Sequence, residues 1–193
     1  MTDARRLSQA ISEGDGISVI VHVDGVDDAR AAEEQGAEGL ALVRGVAGIG
    51  EATPLPVLWL GDPGEADQME SCGAHALTVW ADGDGDRLRT LQETLADDIE
   101  LVVGVANEDE LKTALELDVE ILLLSAGEAE DDQHPLDRVL ELLPDVPAGK
   151  LAIAAVAVDS REEVVLLERA GFDAVLVPAG HVGELVGGAP PEV

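Results

Sequence analysis

A histidine and an aspartate two residues apart, His22 and Asp24, are the first pair in this sequence whose types suit proton transfer. An imidazole titrates near neutral pH and a nearby carboxylate can orient it, so this spacing fits general acid–base work. Asp62 is a further carboxylate of the same kind, and Arg44 and His181 are cations suited to meeting an anion. The simpler reading of the pair, and the one expected here, is a hydrogen-bonded structural histidine followed by a helix-capping aspartate. Two acidic clusters invite a metal. Asp82-Gly83-Asp84-Gly85-Asp86 with Glu93 has part of a calcium-loop spacing, but Arg87 stands where that loop requires glycine. An acidic turn that caps a helix is the expectation. Glu128, Glu130, Asp131, Asp132 and His134 would suit a transition metal but read more simply as a solvated loop. No metal and no cofactor is therefore expected. Gly45, Gly48 and Gly50 form no phosphate fingerprint and are placed in a loop rather than opening a helix. The single cysteine, Cys72, fits a buried small hydrophobe.

These residues are punctuation in a regular pattern. Apolar, β-rich runs fall at 17–23, 39–43, 57–60, 76–80, 101–105, 121–124, 151–156 and 174–177. Helical patterns fit 27–35, 65–72, 86–96, 108–117, 136–143 and 161–170. In the last, Val164, Val165, Leu166, Leu167 and Ala170 form the apolar stripe, and Asp159 or Ser160 caps the start. One junction recurs: a helix end, a glycine suited to a left-handed cap, then a buried strand. Gly36, Gly73 and Gly171 occupy that glycine position. Repeated αβ units with right-handed crossovers give a parallel sheet. Eight strands in this order fit a closed (β/α)₈ TIM barrel best, with an open doubly wound sheet as the alternative. The glycine- and proline-rich stretch at 44–55 and the brief run at 181–186 predict shortened second and eighth barrel helices. Residues 1–188 read as a single domain and 189–193 as a disordered tail. In the first strand, Ser18, Ile20, His22 and Asp24 share one parity. The helix-covered outer face wants the valines, so this set should point into the barrel with Asp24 at the rim.

Charge narrows the partners. Asp and Glu total 41 against 11 Lys and Arg, for a net charge of −30. Such a surface repels phosphodiester backbones and anionic lipid, so nucleic acid and membrane are both poor partners. The acids are spread along the chain, and lysine occurs only at 112 and 150. That pattern predicts a protein kept soluble in concentrated salt, where self-repulsion is screened; an ordinary acidic bacterial protein is the alternative. The first residues lead into polar positions rather than an apolar run, so no secretory leader and a cytoplasmic location are expected.

Between about residues 56 and 188 the motifs resemble those of indole-3-glycerol phosphate synthase. Pro56-Val57-Leu58 with Gln68 and Gly73-Ala74 is similar to that family's third strand, helix and fourth strand. Val105-Ala106-Asn107-Glu108-Asp109-Glu110-Leu111 resembles the segment after strand five. Asp159-Ser160-Arg161-Glu162-Glu163-Val164 and Ala170-Gly171-Phe172-Asp173-Ala174-Val175-Leu176-Val177 are close to the last two units. The resemblance implies a TIM barrel, and scaffold motifs specify it better than they specify a reaction.

Where the family carries its chemistry, this sequence departs. The lysine and aspartate that the resemblance implies at the end of strand three fall on Leu60 and Gly61. The glutamate of strand five falls on Gly104, the asparagine pair after strand six on Ser125 and Ala126, and the glutamate-serine-glycine of strand seven on Ala155-Val156-Ala157. The glycine-glutamate closing strand eight, part of the family's phosphate site, falls on Pro178-Ala179. Ring closure with loss of CO₂ and water needs general acids, and such residues act as a unit. Pro178 also removes a backbone N–H from the phosphate grip. The expectation is therefore a barrel without the family's catalysis, retained for binding or assembly, with a small anionic metabolite as its ligand. Ser125, Arg44 and His181 would contact that ligand. The alternative is a lyase or isomerase on a small phosphorylated metabolite that uses relocated residues, with His22, Asp24 and Asp62 as catalytic groups. A metal-dependent protein built on the acidic loops is a third possibility.

Overall fold

The computed structural model describes residues 6–14, 16–96, 98–127, 133–180 and 182–185. Its strands form a closed barrel in the order β1 to β8, each pair parallel. They are β1 (Ser18–His22), β2 (Gly39–Leu42), β3 (Val57–Trp59), β4 (Ala76–Trp80), β5 (Glu100–Val105), β6 (Ile121–Ser125), β7 (Leu151–Ala155) and β8 (Ala174–Pro178). The helices are α1 (Leu7–Ser12), α2 (Val26–Glu34), α3 (Ile49–Ala52), α4 (Ala66–Ser71), α5 (Gly85–Thr94), α6 (Glu108–Leu115), α7 (Pro135–Leu142), α8 (Arg161–Ala170) and α9 (Val182–Leu185). The TIM barrel expected from the sequence is the observed fold, and α3 and α9 are the shortened second and eighth barrel helices.

Strand parity divides the core in two, because successive side chains leave opposite faces of a strand. Val19, Val21, Leu40, Leu42, Val57, Trp59, Leu77, Val79, Val103, Val105, Leu122 and Leu124 pack outward against the helices. Ile20, Ala41, Leu58, Ala76, Val102, Ile121, Leu123, Ile153 and Ala174 fill the lumen. Gly36, Gly73 and Gly171 have φ of 91°, 66° and 109°, the left-handed turn that lets each helix end reverse into the next strand. Two helices begin with the reciprocal cap of a short polar side chain and a glutamate. At α6 the Asn107 side chain accepts from the Glu110 N–H at 2.9 Å while Glu110 accepts from the Ala106 N–H at 2.7 Å. At α8 Ser160 and Glu163 repeat it.

Three features differ from the sequence reading. The buried stripe of α8 is Val164 and Leu167; Leu166 is 45% exposed and Ala170 also faces solvent. Gly48, placed in a loop by the sequence reading, opens the four-residue α3 in a left-handed conformation. Helix α1 was not anticipated. Its Leu7 and Ile11 are buried in the lumen cluster and close the N-terminal end of the barrel. Their i, i+4 spacing is the sequence signal for that amphipathic turn. Ser8 fixes the plug from the polar side: its hydroxyl and its N–H both donate to the carboxylate of Glu100 at the start of β5. None of the helices among the described residues is long and apolar enough to cross a membrane. Residues 128–132, His181 and 186–193, which include most of the acidic loop and the predicted tail, lie outside the described residues.

Candidate functional site

In a (β/α)₈ barrel the C-terminal ends of the strands surround the site, because loops there are free to vary over a rigid wall. Following the register around this barrel places His22, Leu60, Gly104 and Ala155 at one level of the lumen. Val43, Trp80, Ser125 and Pro178 form the level above, at the mouth, and Ala41, Thr78, Leu123 and Leu176 the level below. Most of these side chains are apolar or absent.

Two of the exceptions are unusual. His22 Nε2 and Thr78 Oγ1 are both shut off from solvent with no hydrogen-bond partner among the described residues. Thr78 is 2% exposed. Leaving a buried hydroxyl unmet costs roughly 1–3 kcal/mol, so these two atoms are the exceptions in an otherwise satisfied lumen. Sequence reasoning singled out His22 and missed Thr78; the available signal was its parity with Trp80 in Ala76-Leu77-Thr78-Val79-Trp80.

Trp80 is the second residue missed. It ends β4 with 44% of its surface exposed, and its ring lies over Gly104. A Cβ built on Gly104 would sit 2.6 Å from Trp80 Cε3, so any side chain there requires the indole to swing away. Gly61 is closed more firmly. A Cβ on it would sit 2.5 Å from Cζ2 of the fully buried Trp59 and 2.7 Å from the carbonyl oxygen of Val43. Trp59 is itself held by its indole N–H donating to the Asp62 carbonyl at 3.2 Å. Glycine at these two positions is thus complemented by tryptophan.

The other residues singled out from the sequence have separate engagements. Asp24 sits at the rim and meets Arg44 at 3.2 Å. It does not cap a helix: the residue before α2 is Gly25, which makes no side-chain cap. Both members of the pair are well exposed, so it contributes at most about 1 kcal/mol. Asp62 accepts the Gly64 N–H at 2.7 Å in a tight turn. Ser125 accepts the Gly127 N–H at 3.2 Å. His181 lies outside the described residues. In the acidic turn, Asp84 caps α5 by accepting the Arg87 N–H at 3.0 Å, and Asp82 pairs with the Arg87 guanidinium at 3.1 Å. His134 caps α7 by accepting the Leu136 N–H at 3.3 Å. No group of three or more metal-ligating side chains is assembled among the described residues.

A pocket of about 320 Å³ opens at the C-terminal rim between β3 and β4. Leu60, Asp62, Thr78, Trp80, Asp82 and Arg87 are among its lining residues. It brings together Asp62, a residue singled out by sequence, with Thr78 and Trp80, which were not. Away from the mouth, burial pushes the Cys72 thiol above its usual range and its S–H donates to the Met69 carbonyl at 3.2 Å, as an inert core cysteine should. His75 accepts the Val57 N–H at Nδ1, 3.1 Å away. Burial lowers its pKa below the ordinary histidine value, against the opposing fields of Glu100 and Asp98.

Comparison with known proteins agrees with this geometry. The barrel is similar to indole-3-glycerol phosphate synthases. The synthase of Acidithiobacillus ferrooxidans is 32% identical over 133 residues, covering 66% of this chain and 50% of that enzyme. That of Alkaliphilus metalliredigens is 27% identical over 137 residues, covering 68% and 52%. That of Pelodictyon phaeoclathratiforme is 29% identical over 137 residues, covering 68% and 54%. The resemblance read from the sequence motifs is thereby shown. The chain spans about half the length of the curated relatives it matches. No protein-family model matches the sequence. Among solved structures, an N-acetylmannosamine-6-phosphate 2-epimerase from Clostridium perfringens superposes with a TM-score of 0.66 over 86% of this chain and 88% of that one. At 14% identity that likeness speaks to the fold.

Proposed function

We propose that this chain is an indole-3-glycerol phosphate synthase-like barrel that no longer carries out the ring-closing reaction and serves as a binding or assembly protein in a salt-rich cytoplasm. One observation carries the reading: apart from His22 and Ser125, the two upper levels of the lumen present Leu60, Gly104, Ala155, Val43, Trp80 and Pro178 where proton donors and acceptors would be needed. The packing supports it further. Trp80 occupies the space over Gly104, so a side chain there requires the indole to move, and Trp59 with the Val43 carbonyl leaves no room for a side chain at Gly61. The anion grip is also weak. Pro178 has no N–H, and the next one, on Ala179, donates to the His22 carbonyl at 3.1 Å. Of the residues singled out from the sequence, Asp62 lines the rim pocket and His22 carries a buried, unpaired Nε2 in the lumen, and both are proposed as ligand contacts, whereas Arg44 and Ser125 are committed to Asp24 and Gly127. The salt-adapted setting rests on the −30 charge and the scarcity of lysine.

The test is a turnover assay of the purified, folded chain with the linear substrate of indole-3-glycerol phosphate synthase, at low and at molar KCl. Product formation indistinguishable from the protein-free control is expected. A robust, protein-proportional rate at either salt would overturn the reading.

A further inference from the structure

We propose that the rim pocket between β3 and β4 binds a small organic cation with an apolar face, of the arylalkyl primary ammonium class. The inference rests on the non-catalytic reading above and names a ligand class for the same barrel mouth. Its sign is opposite to that of the phosphorylated ligand the family resemblance implies.

Three independent features point there. First, Thr78 is 2% exposed and lines the pocket, and its Oγ1 has no partner among the described residues. The atom is shut off from solvent in the free protein, so a donor reaches it by displacing the lining around it. Second, the charged groups of the lining are matched to a cation. Asp62 and Asp82 contribute carboxylates, and the lining cation, Arg87, is already paired to Asp82 at 3.1 Å. An incoming phosphate would face both carboxylates, while Pro63 in the same wall has no N–H to offer it. Because Arg87 and Asp82 are each about half exposed, their pairing yields readily to a competing ammonium group. Third, Leu60, Pro63 and the half-exposed Trp80 also line it. An indole face attracts a cation through its quadrupole, and an aryl ring through stacking. The pocket volume of about 320 Å³ is at the small end of ligand sites, which suits a compact amine. The field of a chain carrying −30 draws such a ligand in and discourages an anion.

The experiment is isothermal titration of the full chain with 2-phenylethylamine, alongside phenyl phosphate and 2-phenylethanol, at low and molar KCl. Saturable amine binding is expected, at least about tenfold tighter than either comparator at low salt and weakened by KCl. Trp80→Leu should weaken it by about two- to thirtyfold, the range of an indole–cation contact. Asp62→Asn should weaken it by about two- to fivefold. Thr78→Val should weaken it by about two- to tenfold without lowering the denaturation midpoint, since its hydroxyl has no partner among the described residues. Trp80 and Asp62 are exposed, so these variants fold, and circular dichroism verifies it. Absence of saturable amine binding, binding of phenyl phosphate as tight or tighter, or unchanged affinity in all three variants would overturn the proposal. Turnover in the synthase assay would overturn the non-catalytic reading on its own; failure of the amine to bind would remove the ligand class and leave the turnover result standing.

Discussion

The two ends of this barrel treat polar groups in opposite ways. At the N-terminal end the plug α1 inserts Leu7 and Ile11 into the lumen, and no buried side-chain polar atom is left unpartnered there among the described residues. Ser8 meets Glu100, His75 meets the Val57 N–H, and Asp173 accepts the Ala152 N–H at 2.8 Å. Lys150 donates to the Val119 carbonyl at 2.6 Å. At the C-terminal end the buried polar atoms His22 Nε2 and Thr78 Oγ1 are unmatched, and Val43 and Trp80 are 47% and 44% exposed. The contrast teaches where stability resides and where the proposed binding has room. A closed end gains from satisfying each donor and acceptor, whereas unmet groups under an exposed apolar rim have a use only if something arrives to meet them.

The largest expected effect breaks the closed end. Leu7→Ala empties a fully buried position in the lumen cluster and should lower unfolding free energy by about 2–5 kcal/mol in a denaturant titration. A loss under about 1 kcal/mol would mean the plug is not part of the folded core. A smaller effect comes from pH. His75 has a lowered pKa in the folded state, so folding favours its neutral form. Its stabilising contribution is complete above the unfolded histidine value near 6.5 and is lost as pH falls through the lower folded value. The denaturation midpoint should therefore decline below about pH 6.5 in the parent by more than in His75→Gln. Equal declines would remove His75 from the account. The smallest effect is at the open end: Arg44→Ala breaks an exposed pair and should shift stability by less than about 1 kcal/mol. A larger loss would show that the rim is structural and erase the contrast between the ends.

Much of the fold was legible because it rests on local signals. Gly36, Gly73 and Gly171 mark helix ends by the one backbone conformation that only glycine adopts cheaply. The alternation in Ala76-Leu77-Thr78-Val79-Trp80 places its two faces without any knowledge of neighbours. The α8 stripe was read too broadly, because Leu166 is apolar yet projects where the neighbouring elements leave it uncovered. Asp24 was read as a cap because aspartate commonly caps helices, but the helix opens from Gly25 and Arg44 lies within reach. The site was less legible than the fold, since its residues come from different strands.

The sequence by itself determined the repeating units, the parity of each strand and which residue types stand at the positions where the resemblance implies the family's acids and gripping glycines, because each is a property of residue type and near spacing. The tertiary structure decided which of those residues meet. Closing the sheet fixes the register between strands. That register, which no local pattern encodes, lays Trp80 over Gly104 and leaves the Thr78 hydroxyl without a partner among the described residues.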